Sequence, residues 1–340
     1  MDTSRYSRQH LFPPIGKEGQ AKLNQSRVLI VGMGALGTVL ANHMVRAGVG
    51  HVRFVDRDFV ELSNLQRQLL FDEQDVEQKL PKAVAAEQKL RLVNSDIEVQ
   101  GLIGDVTAST IAEYASDVDL ILDGTDNFST RFVINDYAFK MGIPYVYGGA
   151  VSSRGMQATF IPGKTPCLRC LFEESGGATE TCDTSGVIAP IVDMVASLQA
   201  VEGMKWLLGD QENIRQSLLT MDLWHHHRYE LKLTKPKAGC LTCQREQYPS
   251  LAHSDEDQIT TLCGRETVQM TPQTQQTAKQ DLNEWAQHLE KVGRVEKTPF
   301  LIRCHVEDVT LVMFTDGRVL IQGTEDISRA KTIYARYIGM

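Results

Sequence analysis

The stretch Arg27–Arg67, RVLIVGMGALGTVLANHMVRAGVGHVRFVDRDFVELSNLQR, limits what this chain can fold into more than any other. Val28 to Val31 is an apolar run of strand length, and it enters Gly32-Met-Gly34-Ala-Leu-Gly37 directly, ahead of a helix-like segment to Arg46. Gly32 permits a tight turn, Gly34 lets a phosphate approach the backbone, and Gly37 lets the helix pack close to the strand. Such a turn aims a helix N-terminus at an anion. A second apolar run, Val52 to Val55, ends in Asp56, a carboxylate placed to accept hydrogen bonds from ribose hydroxyls. GxGxxG alone is a weak signal, but strand, turn, helix, second strand and acid follow here in the order a nucleotide site requires. After Asp56 the chain adds Asp58, Ser63, Asn64 and Arg67 in one polar loop. A dehydrogenase needs one phosphate-facing turn and a ribose acid; the extra arginine fork and asparagine suit a triphosphate better than a nicotinamide.

Further along, Leu80-Pro81-Lys82 opens a predicted helix over Ala83–Leu92, with Pro81 suited to a helix start and Lys82 projecting from the first turn toward an anion. Val118 to Leu122 reads as a buried strand running into Asp123-Gly-Thr-Asp126-Asn127, and in open α/β sheets ligands gather at the carboxyl ends of strands. Asp126 and Asn127 therefore belong to the same crevice as Gly34 and Asp56. A carboxylate beside a triphosphate is a natural magnesium ligand, the plainer reading being that Asp126 caps the helix Phe128–Met141. Strands expected over Ile97–Ile103, Ile143–Tyr147 and Gly155–Ile161, with short helices over Gly19–Ser26 and Ala108–Tyr114, complete the pattern. It predicts an α/β fold: a Rossmann-like, mostly parallel sheet with helices on both faces, extended by antiparallel strands.

Cys167-Leu-Arg-Cys170 and Cys240-Leu-Thr-Cys243 form two CxxC pairs, which together can supply a tetrahedral thiolate site for structural zinc. His225-His226-His227 does not make a second metal site, because consecutive side chains of a strand alternate faces; an exposed strand is expected there. Composition turns polar over Gln244–Thr261, and Gln269–Gln280 is rich in threonine and glutamine. We therefore expect residues 1–248 to form an ATP-binding domain carrying the zinc site, and residues 249–340 a small C-terminal α+β module. Its helices are expected at Leu282–Val292 and ending near Tyr337, its strands at Phe300–Val306, Thr310–Phe314 and up to Ile321. Cys263 reads as a loop thiol and Cys304 as a core residue. Seven cysteines, an odd number, favour metal or thiol chemistry over a disulfide framework. A formal net charge of −8 argues against nucleic acid, and the lack of a signal segment or an uninterrupted apolar span predicts a cytoplasmic protein away from the membrane.

With these motifs in hand, the sequence resembles the ThiF/MoeB/HesA family of sulfur-carrier adenylyltransferases, related to ubiquitin-activating enzymes. The resemblance spans roughly residues 4 to 245 and rests on RYSRQ, VGMGALG, VDRDFVELSNLQRQ, LPKA, DGTDN, both CxxC pairs and TCDTSGVIAP. It implies that Gly34 and Asp56 hold the adenosine and ribose region, that Asn64, Arg67 and Lys82 hold the phosphates, and that Asp126 binds magnesium. It implies a homodimer in which Arg8 reaches the partner's ATP. The substrate it implies is the Gly-Gly end of a small β-grasp carrier protein, adenylated for thiamine or molybdopterin biosynthesis. Cys182 matches the family's cysteine and would capture the activated carrier, or sulfur, after adenylation. The C-terminal module resembles an extension found on some members, without a role attached. The alternatives are a related enzyme activating a small carboxylate or a transfer-RNA modification, and an NAD-dependent oxidoreductase.

Overall fold

The computed structural model describes residues 5–172, 185–252, 258–262, 266–271, 282–314 and 317–338. They form two compact units, Met1–His253 and Ser254–Met340. The first is built on an eight-stranded sheet in the order β3-β2-β1-β4-β5-β6-β7-β8. Its strands are β1 Arg27–Val31, β2 His51–Asp56, β3 Glu98–Ile103, β4 Leu120–Asp123, β5 Tyr145–Val151, β6 Arg154–Phe160, β7 Ser217–Asp222 and β8 His227–Lys232. β1 to β5 run parallel, and β6, β7 and β8 extend the sheet in antiparallel fashion. The order reverses between β1 and β4, so the crevice for a ligand lies at their carboxyl ends.

Burial explains why these segments are strands. Val28, Leu29 and Ile30 of β1 and Leu120, Ile121 and Leu122 of β4 are fully buried, as expected of parallel strands covered on both faces. One face packs Leu29, Val31 and Ile121 against Phe132, Ile134 and Ala138 of the helix Phe128–Met141. On the other lies the helix Ala189–Leu208, whose Gly203 sits over Leu120 and Leu122. A Cβ on Gly203 would come within 2.9 Å of Leu120, so the helix approaches as closely as a glycine permits. Helix Ala35–Ala47 buries Leu36, Leu40 and Met44 and stops at Gly48 in the left-handed conformation, φ 79°. Leu40 and Met44, four residues apart, lie on one helix stripe.

Several elements differ from the sequence reading. The helix expected over Gly19–Ser26 begins earlier, at Gly16–Gln25, because Ile15 is buried and its carbonyl accepts the Gly19 N–H. The helix expected over Ala108–Tyr114 is only Ile111–Ala115. Thr110 Oγ1 donates to the Asp105 carbonyl and accepts from the Thr107 N–H, holding the preceding residues in a turn. Of the three histidines only His227 begins a strand; His225 and His226 form the β7–β8 turn, with His225 bonded to Asp222 at 3.0 Å. All three are exposed.

The second unit is an antiparallel sheet in the order β11-β12-β13-β14-β10-β9, where β9 is Gln258–Leu262, β10 Thr267–Thr271, β11 Arg294–Lys297, β12 Leu301–Val306, β13 Val309–Phe314 and β14 Val319–Gln322. Helices Leu282–Leu289 and Ile327–Tyr337 pack on one face over Ile302, Cys304, Leu311 and Ile321, making Cys304 the expected core residue. β9, β10 and β11 were not legible in the sequence. Polar threonine and glutamine obscure β10, yet pairing with β14 places Val268 and Met270 in the core, with Gln269 between them and β-branched threonines at the two ends of the strand. Cys263 lies outside the described residues.

The glycine turn leads to a stability prediction. A Cβ on Gly37 would lie 1.9 Å from the Gly32 carbonyl oxygen, and a backbone atom cannot rotate away. Gly37→Ala should therefore cost about 3 kcal/mol or more in urea unfolding, at the upper end of overpacking penalties. An unchanged unfolding midpoint would show that the turn is looser than its geometry.

Candidate nucleotide-binding active site and cysteine cluster

The carboxyl ends of β1, β2 and β4 are welded together by backbone. Gly32 N–H donates to the Val55 carbonyl and Gly124 N–H to the Val31 carbonyl, both at 2.8 Å. Gly32 has φ 90°, and a Cβ there would sit 2.8 Å from the Gly124 oxygen. Beside Gly34, the N-cap of helix Ala35–Ala47, a Cβ would meet nothing closer than 4.0 Å. That opening at the helix N-terminus is where an anionic group fits.

Asp56 borders the opening and is itself buried. Its Oδ2 accepts the Met33 N–H at 2.6 Å and its Oδ1 the Asp58 N–H at 2.7 Å, so the acid fixes both the glycine turn and the loop that follows. Burial pushes its pKa up, Lys82 opposes that, Asp58 adds to it, and the two N–H bonds oppose it. Each oxygen retains a second lone pair for a ribose hydroxyl. Asp58 receives Lys82, whose Nζ lies 3.2 Å from Oδ2 and whose N–H bonds the Asp58 carbonyl at 2.9 Å. Lys82 is the first residue of helix Lys82–Val93, with Pro81 at the cap, and only 3% of it is exposed. It is thus a buried ammonium paired at the crevice with the Asp58 carboxylate rather than a surface lysine.

The polar loop carries the other candidates. Asn64 is buried and its Oδ1 accepts the Glu61 N–H at 3.2 Å, closing the short turn Leu62–Asn64. Arg67, half-buried, donates to the Ser63 carbonyl at 2.9 Å. Asp126 is exposed at the carboxyl end of β4 and accepts one long bond, 3.4 Å, from Asn127 Nδ2. The helix cap is Asn127, not Asp126, because Asn127 Oδ1 takes the Thr130 N–H at 2.9 Å. Burial works against the charge on Arg57, but Asp105, Asp58 and Asp126 hold it protonated more firmly than usual. Asp126 thus belongs to the same charged rim as Asp58 and Lys82. Beneath it, buried Asp123 accepts from Thr125, Arg131 and Tyr145, with the Tyr145 hydroxyl at 2.6 Å. Sequence reasoning placed Asp123 in the motif but missed that it anchors the loop from below.

Arg8 lies exposed on the short helix Ser7–His10. Its neighbours hold the segment: Tyr6 is buried and its hydroxyl accepts from Asn94 at 2.9 Å, while Gln9 reaches the Ala47 carbonyl at 3.0 Å. Cys182 lies outside the described residues. Gln68, directly after Arg67, was not singled out by sequence reasoning; it is buried with its carboxamide facing Gly34.

The two CxxC turns meet. The Sγ atoms of Cys167, Cys170, Cys240 and Cys243 all lie within 4.8 Å of one another, with neighbours at 3.4, 3.5 and 3.9 Å. Tetrahedral zinc with Zn–S of about 2.3 Å needs sulfurs about 3.8 Å apart, so the cluster has the dimensions for such an ion. Cys170 also accepts the Lys237 N–H at 3.3 Å. Fully buried Asp136 joins the turns. Its Oδ1 takes Thr242 Oγ1 at 2.6 Å, and its Oδ2 takes Arg169 Nη2 at 3.0 Å and the Ser250 N–H at 2.9 Å. Thr242 and Arg169 are inner residues of the two different CxxC turns. The Arg169 guanidinium also covers the Phe132 ring at 4.6 Å.

The fold and these two centres define a nucleotide-binding α/β enzyme with a four-cysteine centre in the same unit. The ThiF family pattern matches residues 6–242. The chain belongs to that family, as an ATP-using adenylyltransferase of the ubiquitin-activating-enzyme-like superfamily. It is 47% identical over 339 residues to the sulfur carrier protein ThiS adenylyltransferase of Bacillus subtilis (strain 168), covering 99% of this chain and 100% of that one. It is 34% identical to the adenylyltransferase and sulfurtransferase MOCS3 of Culex quinquefasciatus over 75% of this chain and 61% of that one. A crystal structure of E. coli MccB with ATP superposes with a TM-score of 0.61 at 22% identity, covering 71% of this chain and 75% of that one, a likeness of fold.

The Asp136 bridge predicts how the cysteine centre fails. Asp136→Asn keeps the shape and one acceptor but loses the charge that holds Arg169, so metal affinity should fall roughly 10-fold, as for other residues that orient ligands. Competition with a chromogenic chelator measures it. Unchanged affinity would mean that the cysteines are positioned without Asp136.

Proposed function

We propose that this chain adenylates the C-terminal Gly-Gly carboxylate of a small β-grasp sulfur-carrier protein, releasing pyrophosphate, for sulfur transfer in thiamine or molybdopterin biosynthesis. The observation that carries this reading is the full-length likeness to a ThiS adenylyltransferase, together with a crevice that collects Gly34, Asp56, Asp58 and Lys82 at one sheet end. A C-terminal carboxylate, with an ordinary pKa of about 3.5, is already ionised at neutral pH and needs no general base. Its oxygen forms the new bond to the α-phosphorus of ATP, the bond to the β-phosphate bridge breaks, and the electron pair leaves on pyrophosphate. Positioning and charge neutralisation are then the whole task.

The residues have distinct parts in this reading. The N–H groups of the Gly32–Gly37 turn and the helix behind it face the phosphates, and Asp56 holds the ribose. Lys82 and Arg67 face the charge that builds on the transferring and departing phosphates, with Asn64 shaping the loop and Asp58 keeping Lys82 in place. Asp126, exposed and with carboxylate lone pairs open, would hold magnesium, which would supply positive charge to offset that of the phosphates. Asn127 holds Asp126 by its amide. Arg8 stands on an exposed terminal segment, consistent with reaching a second copy's ATP in a homodimer. Cys182 would capture the activated carrier after the adenylate forms, its sulfur bonding the carrier's terminal carbonyl carbon as the bond to phosphate breaks and AMP leaves, or would take a sulfane sulfur from a persulfide donor that leaves as its thiol. Zinc at Cys167, Cys170, Cys240 and Cys243 would cross-link the two turns and supply no open coordination position. We place the enzyme in the cytoplasm, away from nucleic acid and membrane. No described helix is long and apolar enough to cross a membrane.

Two measurements test this. ATP–pyrophosphate exchange should require magnesium and a carrier ending in Gly-Gly, and Asp126→Ala should lower kcat for exchange at least 100-fold while weakening ATP binding far less, because the metal matters most where charge develops. Exchange that persists with a carrier lacking its last glycine would sink the substrate assignment. Cys182→Ser should remove any covalent enzyme–carrier adduct, since the first step uses only the carrier's own carboxylate. Loss of exchange in a folded, metal-loaded Cys182→Ser protein would move that residue into the adenylation step.

A further inference from the structure

Asp123, the last residue of β4, is fully buried and takes donors on both carboxylate oxygens. Its Oδ1 accepts the Thr125 N–H at 2.8 Å and the Thr125 hydroxyl at 2.7 Å, while its Oδ2 accepts Arg131 Nε at 3.2 Å and the Tyr145 hydroxyl at 2.6 Å. Arg131 closes the ring, because its Nη2 donates to the Thr125 carbonyl at 2.7 Å and to the Gly148 carbonyl at 3.0 Å. The N–H, hydroxyl and carbonyl of Thr125 are thus all engaged, and Thr125 directly precedes Asp126. On the other side Asn127 caps the helix Phe128–Met141. Asp126 therefore projects from backbone that is pinned before and after it, although its own carboxylate accepts one long bond, 3.4 Å, from Asn127. Tyr145 enters this network from another strand. It stands in register with Ile121, fully buried, with its ring 5.7 Å from that of Phe160. Burial first, then Asp123, push its pKa well above the usual phenol range against the opposing charge of Arg131, so the hydroxyl stays a donor.

We propose that Tyr145 is a positioning residue for the loop that holds magnesium: its hydroxyl, acting through Asp123 and Thr125, sets where the Asp126 carboxylate stands beside the nucleotide. The inference rests on the reading of Asp126 as the magnesium ligand. Tyr145 is fully buried and works from β5, one strand away from the loop it orders. Removing its hydroxyl leaves Asp123 Oδ2 with Arg131 alone. A buried carboxylate short of a donor draws the remaining one toward itself, and here that guanidinium also carries the Thr125 carbonyl. The disturbance then reaches Asp126 through its neighbouring peptide, without any change at the nucleotide pocket itself.

Calorimetric ATP binding to the full chain decides it, measured once with excess magnesium and once with EDTA, with thermal melting as the fold control. The ratio of the two affinities reports how far the protein tightens magnesium on its bound ATP. Tyr145→Phe should lower that ratio about 10-fold, as for other residues that orient metal ligands, while affinity in EDTA moves by less than about twofold. Thr125→Val, which takes a donor from the other Asp123 oxygen, should lower the ratio in the same way and answers the question if the phenylalanine variant does not fold. In Asp126→Ala chains, adding Tyr145→Phe should change the ratio no further, because both residues act through one ligand. A wild-type ratio in folded Tyr145→Phe and Thr125→Val proteins overturns the proposal. So does an equal loss of affinity with and without magnesium, which would mark Tyr145 as merely structural. If Asp126→Ala itself keeps the wild-type ratio, the reading of Asp126 fails and the proposal falls with it, a result distinct from silence of Tyr145→Phe alone.

Discussion

Everything at the active crevice depends on how closely three stretches of backbone approach at the ends of β1 and β4. Gly32, Gly37 and Gly124 stand so near one another that a methyl group on any of them would fall within 3.0 Å of a neighbouring main-chain atom. The close fit lets the helix Ala35–Ala47 start directly over the sheet, and so brings its unpaired N–H groups to the strand ends instead of to open solvent. The register carries the consequence outward. Val31 pairs with both Val55 and Asp123, so the residues next along the three chains, Gly32, Asp56 and Gly124, emerge side by side. A phosphate-facing turn and the acids around it are one construction.

Buried carboxylates then convert this backbone frame into fixed side-chain geometry. Asp56 ties the glycine turn to the loop after β2, Asp123 ties the loop after β4 to β5 through Tyr145, and Asp136 ties the two CxxC turns together. Each is buried and each accepts hydrogen bonds, as it must, since an unpaired charge in the interior would be too unfavourable to keep. The parts that face solvent, Asp126, Arg67 and Arg8, are held more loosely, by single bonds or by exposed chain. The exposed rim is held by fewer bonds than the scaffold beneath it. The cysteine centre follows the same rule. Its sulfurs come from turns 73 residues apart, Cys167 to Cys240, and the Asp136 bridge brings the turns together before any ion is considered.

Residues whose role is local were legible from the chain alone. The glycine spacing, Asp56 at the end of an apolar run, Lys82 in the first turn after a proline and the paired CxxC turns each state their chemistry within a few positions. Residues whose role is contact at long range were not. Asp136 lies mid-helix and reads as an ordinary polar position until Arg169, Thr242 and Ser250 arrive from elsewhere. Gln68 reads as loop until it is found buried opposite Gly34. The threonine-rich β10 reads as linker until β14 pairs with it.

By itself the sequence determined that a parallel α/β sheet would present a glycine turn, an acid at the end of the next strand and a cluster of polar and basic residues after it, because hydrophobic period, turn chemistry and motif spacing act over neighbouring residues. Tertiary structure decided the rest. It decided that Lys82 is a buried ammonium locked to Asp58, that Asn127 and not Asp126 caps its helix, and that four sulfurs from two distant turns come within metal-binding range. The physical reason is the same in each case: burial and pairing depend on which segments pack together, and that is settled by strand order and helix packing across the whole sheet, which no local stretch encodes.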